Sequence, residues 1–281
     1  MASELEPLLF GLIISLVLGV FAFRKEALSK TGTLAAVLLG VTVFVLGGPA
    51  WFATLAVFFL TGVFLTSFRA KEKQDVVREF AKGGLRDFWQ VLANGGIAGL
   101  LALAWSYYKE PLVFYAFLGV IATITADTWA TELGILQKGK PRLITTWQPV
   151  PVGTSGAVSS MGLGIAFAGG LLIGLAAVVF LKIAGSPLLY SQDLLRAGAP
   201  IAIIAAFSGL AGAAFDSLLG ATVQAMYYCT RCKRETEKTL HNCGEKTQAI
   251  RGFKWFDNDI VNLASSMFGA LTAAALYLLW F

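Results

Sequence analysis

Eight apolar stretches constrain this chain more than any other feature. Each is near the roughly 20 residues a helix needs to cross a lipid bilayer. They run at about 7–23, 31–47, 50–68, 88–107, 111–132, 156–182, 199–227 and 258–281. Of the 281 residues, 57% are hydrophobic and 14% charged, against a usual charged share of about 25%. A water-soluble core of this size cannot hide so much apolar surface. The expected fold is therefore all-α. It is one polytopic membrane bundle over 1–281 with about eight helices, six or seven being the alternative count, plus a polar loop at 228–257.

The connections between the stretches alternate in character. The odd-numbered ones (24–30, 69–87, 133–155 and 228–257) hold 19 of the 22 Lys and Arg. Loops rich in Lys and Arg stay in the cytoplasm, so both termini are expected outside. The net charge of +5 follows from these loops and does not point to nucleic acid. The start, MASELEP, reads as neither a signal peptide nor an Arg-rich transit peptide. With no organelle-targeting extension before the first stretch, a prokaryotic cell membrane is expected.

Polar residues then fall at one depth. Asp127 lies sixteen residues after Pro111, and Asp216 sixteen after Pro200. At 1.5 Å per residue, both acids sit about 24 Å across a core of about 30 Å. Asn94 and Asn262 each follow an aromatic anchor (Phe88, Phe256) by six residues, which places them about 9 Å in from the other direction. Gln90, Gln224, Asn258 and Asp259 belong to the same side. Amides at such depths also join helices by hydrogen bonds. An ionised acid there demands a cation or a strong partner, and gluing residues have no reason to share a layer.

Carboxylates and amides converging on one pocket suit Mg²⁺, which completes its shell with water and substrate phosphates. Asp127, Glu132 and Asp216 are the expected ligands, holding the metal-bound phosphates of a nucleotide. Thr128 and Ser217 directly follow the two deep acids. Basic groups that would neutralise phosphate lie nearby: Lys82 and Arg86 before the fourth stretch, and Lys138, Lys140 and Arg142 after the fifth. Arg86, in KGGLRDFWQ, is the leading candidate. VGTSGAVSS, at 152–160, is read as opening the sixth helix. There Gly153, Thr154, Ser155 and Gly156 would present backbone N–H groups and hydroxyls to an anion, although capping explains such a start equally well.

Every cysteine and the only histidine lie within fifteen residues: Cys229, Cys232, His241 and Cys243, spaced C-x2-C-x8-H-x-C. A Cys₃His set suits a closed structural Zn²⁺ site. Reactive thiols in a reducing loop are the alternative. The first three stretches carry little polar signal and read as scaffold or lipid-facing helices.

KGGLRDFWQVLANGG, TADTWATELG, PVGTSGAVSSMG, FDSLLGATVQ, CTRCKRETEKTLHNCG and FDNDIVNLASS, in this order, resemble the DUF92 (TMEM19) family of integral membrane proteins, which includes phytyl-phosphate kinases. The resemblance implies a kinase that converts an isoprenoid monophosphate to its diphosphate, with CTP or another nucleoside triphosphate and Mg²⁺. Among the residues above, Asp127, Thr128, Glu132, Gly153, Thr154, Ser155, Asp216, Ser217, Gln224, Asn258, Asp259 and Asn262 match the family blocks. Two other readings stand beside it. A transporter or ion pathway would need polar residues through the outer half. A non-catalytic scaffold would let the deep polar residues point in different directions.

Overall fold

The computed structural model describes residues 2–79, 85–137, 139–189 and 194–281. Eight helices in it are long and apolar enough to cross a membrane. They are α1 (Ala2–Arg24), α2 (Lys30–Gly47), α3 (Pro49–Ser67), α5 (Phe88–Tyr108), α6 (Pro111–Gly134), α7 (Ser160–Ile183), α8 (Leu194–Thr222) and α9 (Asn258–Trp280). A short helix, α4 (Ala70–Val77), follows α3. The expected membrane bundle is what the chain forms.

Local chemistry sets the helix starts. The Ser29 hydroxyl accepts from the Gly32 N–H at 3.0 Å and opens α2. Pro49 and Pro111 begin α3 and α6, where a missing N–H does no harm. Asp87 and Gln90 form a reciprocal capping box at α5, which satisfies two donors that would otherwise be orphaned. Asp257 caps α9.

Two boundaries differ from the sequence expectation. The sixth span starts at Ser160 under an Ser159 cap, because residues 157–158 form strand β2 (Ala157–Val158), paired with β1 (Arg142–Leu143). The seventh span starts at Leu194 and carries Pro200 inside it. It ends at Thr222, and the apolar residues beyond enter strand β3 (Met226–Cys229). β3 lies between β4 (Arg234–Thr236) and β5 (Gln248–Arg251) in an antiparallel sheet.

α6 and α8 form the centre. Their most apolar stretches are 67% and 61% buried, against 22% for α1. Phe117, Leu118, Ile121, Ile201 and Ile204 are wholly enclosed. Gly170 and Gly174 of α7 sit directly against Ala205, Ala206 and Ala202 of α8. Such close backbone approach is how helices associate where burial from water offers no driving force. Of the two roles expected of the first three helices, scaffold or lipid-facing, α3 takes the scaffold one. Trp51 is buried 4.4 Å from the Phe117 ring, and the Trp129 indole N–H donates to Thr61 Oγ1 at 3.2 Å. α1 keeps the lipid-facing character, with Phe10 and Val17 more than half exposed.

Candidate functional site

At the loop-bearing end of the bundle, α5, α6, α8 and α9 part around a cavity of about 900 Å³. Its roof is α4, the 150–159 loop and the β3–β4 hairpin. Asp127 and Thr128 of α6 face it, as do Asp216 and Ser217 of α8. Gln90 and Asn94 of α5 and Asn258, Asp259 and Asn262 of α9 complete the wall. The shared depth follows from the helix ends. Asp127 lies seven residues before Gly134 and Asp216 six before Thr222, or about 9–11 Å in.

The two deep acids line the same chamber from neighbouring helices. Ser265 donates its hydroxyl to Asp216 at 3.0 Å. Among the described residues neither acid has an ion-pair partner. Two carboxylates lining one chamber at membrane depth, with no counter-charge among the described residues, make a ready place for a cation.

Glu132 differs from both. Its carboxylate is paired with Lys73 and accepts from Thr66 Oγ1 at 2.9 Å. Lys73 also donates to the Leu65 carbonyl at 2.6 Å. Arg86 adds a second attraction to Glu132. All three acids line the chamber, and among the described residues Glu132 alone of the three has a cation beside it. Among the described residues, Asp127, Glu132 and Asp216 do not draw together as a metal-ligand group, because Glu132 is already neutralised by its own lysine. Arg86 lines the chamber with its guanidinium against Gly62.

The 153–156 loop lines the chamber but is not a helix start. Gly153 and Gly156 have φ of +87° and +83°, a region costly for residues with a Cβ. Gly156 also sits against the Ala221 backbone, leaving no room for a side chain. The Thr154 N–H is spent on Pro151 O at 3.2 Å. The Ser155 hydroxyl donates to Gln224 Oε1 at 2.6 Å, and Gln224 Nε2 donates to Glu237 at 3.1 Å. Gln224 therefore ties two loops together as well as lining the cavity.

The basic loop residues redistribute. Lys82 and Lys138 lie outside the described residues. Lys140 and Arg142 do not line the chamber. Their segment folds back on itself, with Arg142 bridged to Pro149 and its guanidinium donating to Trp147 O at 2.7 Å. Lys233 and Arg234 from the β3–β4 hairpin line it instead. Neither they nor Lys73, Glu79 and Glu237 stood out in the sequence. Each sits in a charged loop, and only the pairing of β3 with β4 brings the hairpin over the chamber.

Between this hairpin and the turn that follows it, ligand atoms of Cys229, Cys232, His241 and Cys243 all lie within 4.8 Å of one another. The hydrogen bond with His241 Nδ1 lowers the Cys243 thiol to about 6, while hydrogen bonding to Cys243 pushes Cys232 up to about 11.

Comparison with known proteins fits this architecture. Over 272 residues the chain is 34% identical to Protein PGR of Arabidopsis thaliana, covering 92% of each. It is 31% identical over 219 residues to an uncharacterised membrane protein of Methanocaldococcus jannaschii, covering 78% of this chain and 84% of that one. It is 26% identical over 252 residues to Protein VTE6, chloroplastic, of Arabidopsis thaliana, covering 88% and 64%. No solved structure matches it. The family model described as "Integral membrane protein DUF92" matches residues 13–270, and the chain belongs to that family.

Proposed function

We propose that this chain is a membrane-embedded prenyl-phosphate kinase. It would transfer a phosphoryl group from a nucleoside triphosphate, CTP by preference, to an isoprenoid monophosphate such as phytyl or geranylgeranyl phosphate. The observation that carries this reading is the pair Asp127 and Asp216, without a counter-ion among the described residues, in a polar chamber ringed by amides. Two carboxylates plus substrate phosphates are the donor set that Mg²⁺ takes in phosphoryl-transfer sites. Bound there, Mg²⁺ would offset charge on the transferring group.

The chain's own residues supply the rest. Arg86, Lys233 and Arg234 are positioned to neutralise phosphate oxygens. Asn94, Asn258 and Asn262 can orient them. The nucleophile is a deprotonated oxygen of the lipid phosphate. It attacks the γ-phosphorus, the bond to the β-phosphate oxygen breaks, and the nucleoside diphosphate leaves. No proton needs to be removed, so a site without a histidine base suffices, and positioning and electrostatics carry the rate. Leu163 of α7 both lines the chamber and is exposed on the bundle surface. That gives an apolar tail a route to lipid.

The positive-inside rule supports a chamber that opens to the cytoplasm. The other half of α6 and α8 is filled by Phe117, Leu118, Ile201 and Ile204, which leaves an ion pathway without support. The scaffold reading loses its premise, since the deep polar residues face one chamber. Purified protein in nanodiscs, given phytyl or geranylgeranyl phosphate and each nucleoside triphosphate in turn, is expected to release nucleoside diphosphate and form lipid diphosphate. Absence of product with every pairing would remove the proposal.

A further inference from the structure

We propose that Cys229, Cys232, His241 and Cys243 hold one zinc ion, and that this ion, through Glu79 behind His241, fastens the roof of the chamber. The geometry suits a closed tetrahedral site. Zn–S bonds of about 2.3 Å at tetrahedral angles separate two sulfurs by about 3.8 Å, and Cys229 Sγ lies 3.7 Å from Cys243 Sγ. That spacing is far beyond the roughly 2.05 Å of a disulfide, and all three cysteines are free. The Cys232 N–H points at Cys229 Sγ at 3.4 Å, as expected where a thiolate sits in a tight turn. Lys233 takes the left-handed conformation that closes this turn, with φ of +54°. Sulfur-rich ligand sets select soft or borderline metals. Four protein ligands leave no open position, so the ion has a structural role.

The two nitrogens of His241 divide the work. Nδ1 lies 3.1 Å from Cys243 Sγ, facing the ligand cluster. Nε2 lies 3.0 Å from Glu79 Oε2. A carboxylate behind a metal-bound histidine fixes its ring and tautomer. Glu79 lies just beyond α4, far from the cysteines in sequence. Its main chain is held as well: its carbonyl accepts from the Glu237 N–H at 3.1 Å and from Thr236 Oγ1 at 2.7 Å. Asn242 Nδ2 donates to the neighbouring Arg78 carbonyl at 2.9 Å. The ion would therefore join the β3–β4 hairpin, the 241–245 turn and the end of α4. Those are the segments that carry Lys233, Arg234 and Asp75 to the chamber.

The test is metal analysis of the purified full-length chain. About one zinc per chain is expected, falling to near zero in Cys232→Ser. Cobalt loaded in its place is expected to show thiolate charge-transfer absorption and the strong visible bands of a tetrahedral site. Glu79→Gln is expected to keep the metal with affinity lowered about 10–100-fold in chelator competition. Stripping zinc from the wild-type chain is expected to speed proteolysis within 228–257. Zinc-free wild-type protein, or Cys232→Ser with its full zinc content, overturns the site. Unchanged affinity in Glu79→Gln, or unchanged proteolysis on stripping, overturns the fastening. If Cys232→Ser does not fold, the stripping experiment on wild type decides alone. None of these readouts measures phosphoryl transfer, so a failure here is distinguishable from a failure of the kinase reading.

Discussion

Purified Asp216→Asn and Asp127→Asn variants are expected to fold normally and to lose diphosphate formation by a factor on the order of 10³ in kcat. Removing one preorganised electrostatic group from a reaction centre costs about 10²–10³, and a metal-holding carboxylate in phosphoryl transfer belongs at the upper end. The amide keeps the shape of the side chain and removes its charge. An ionised acid at membrane depth is costly, so neutralising one relieves strain in the folded state. The thermal midpoint is therefore expected to hold or rise while turnover collapses. Opposite movement of rate and stability is the signature, read by phosphate-transfer assay and by thermal unfolding of the same preparations. Normal turnover in either variant would remove the acids from the chemistry.

Lys73→Met is expected to destabilise the protein by about 3–5 kcal/mol, the usual effect of deleting one partner of a buried ion pair. The Lys73 side chain is 2% exposed and that of Glu132 17%. The ammonium also donates to the carbonyls of Leu65 and Thr66 in the last turn of α3. Methionine fills the space and leaves the Glu132 charge without its principal partner. Adding Glu132→Gln is expected to recover more than half of the loss, because the uncompensated charge is then gone. Equal stability of the single and double variants, measured by denaturant unfolding in detergent, would show that the pair is not coupled.

The bundle was legible because lipid imposes a length on every crossing. The layer of Asn94, Asp127, Asp216 and Asn262 was legible because helical rise converts sequence position into depth. Glu132 lay beyond that arithmetic. It reads as a third metal ligand until Lys73 is seen beside it, and Lys73 reads as one more solvated charge in AKEKQDVV. Its burial depends on α4 folding back against α3 and α6, a tertiary event that no local pattern announces. The 153–156 loop misled for a related reason. A Gly/Ser run before an apolar stretch looks like a helix start, but Ala157 and Val158 pair with β1 first. Lys140 and Arg142 were drawn to the chamber by proximity in sequence, and their own hairpin turns them out to solvent. The apolar tail of the seventh stretch could not be split into helix and strand by hydropathy, since both bury the same residues.

Arg86 has a main chain fastened from an unexpected quarter. The loop between α1 and α2 binds it on both sides: Ser29 N–H donates to its carbonyl at 2.9 Å, and its own N–H donates to Ala27 at 3.1 Å. α1 of that hairpin is the most exposed of the long helices. Hydrophobic mismatch that tilts it therefore acts directly on the backbone of the guanidinium donor. Under the proposed function, bilayer thickness would then enter the geometry of phosphate recognition through two peptide bonds.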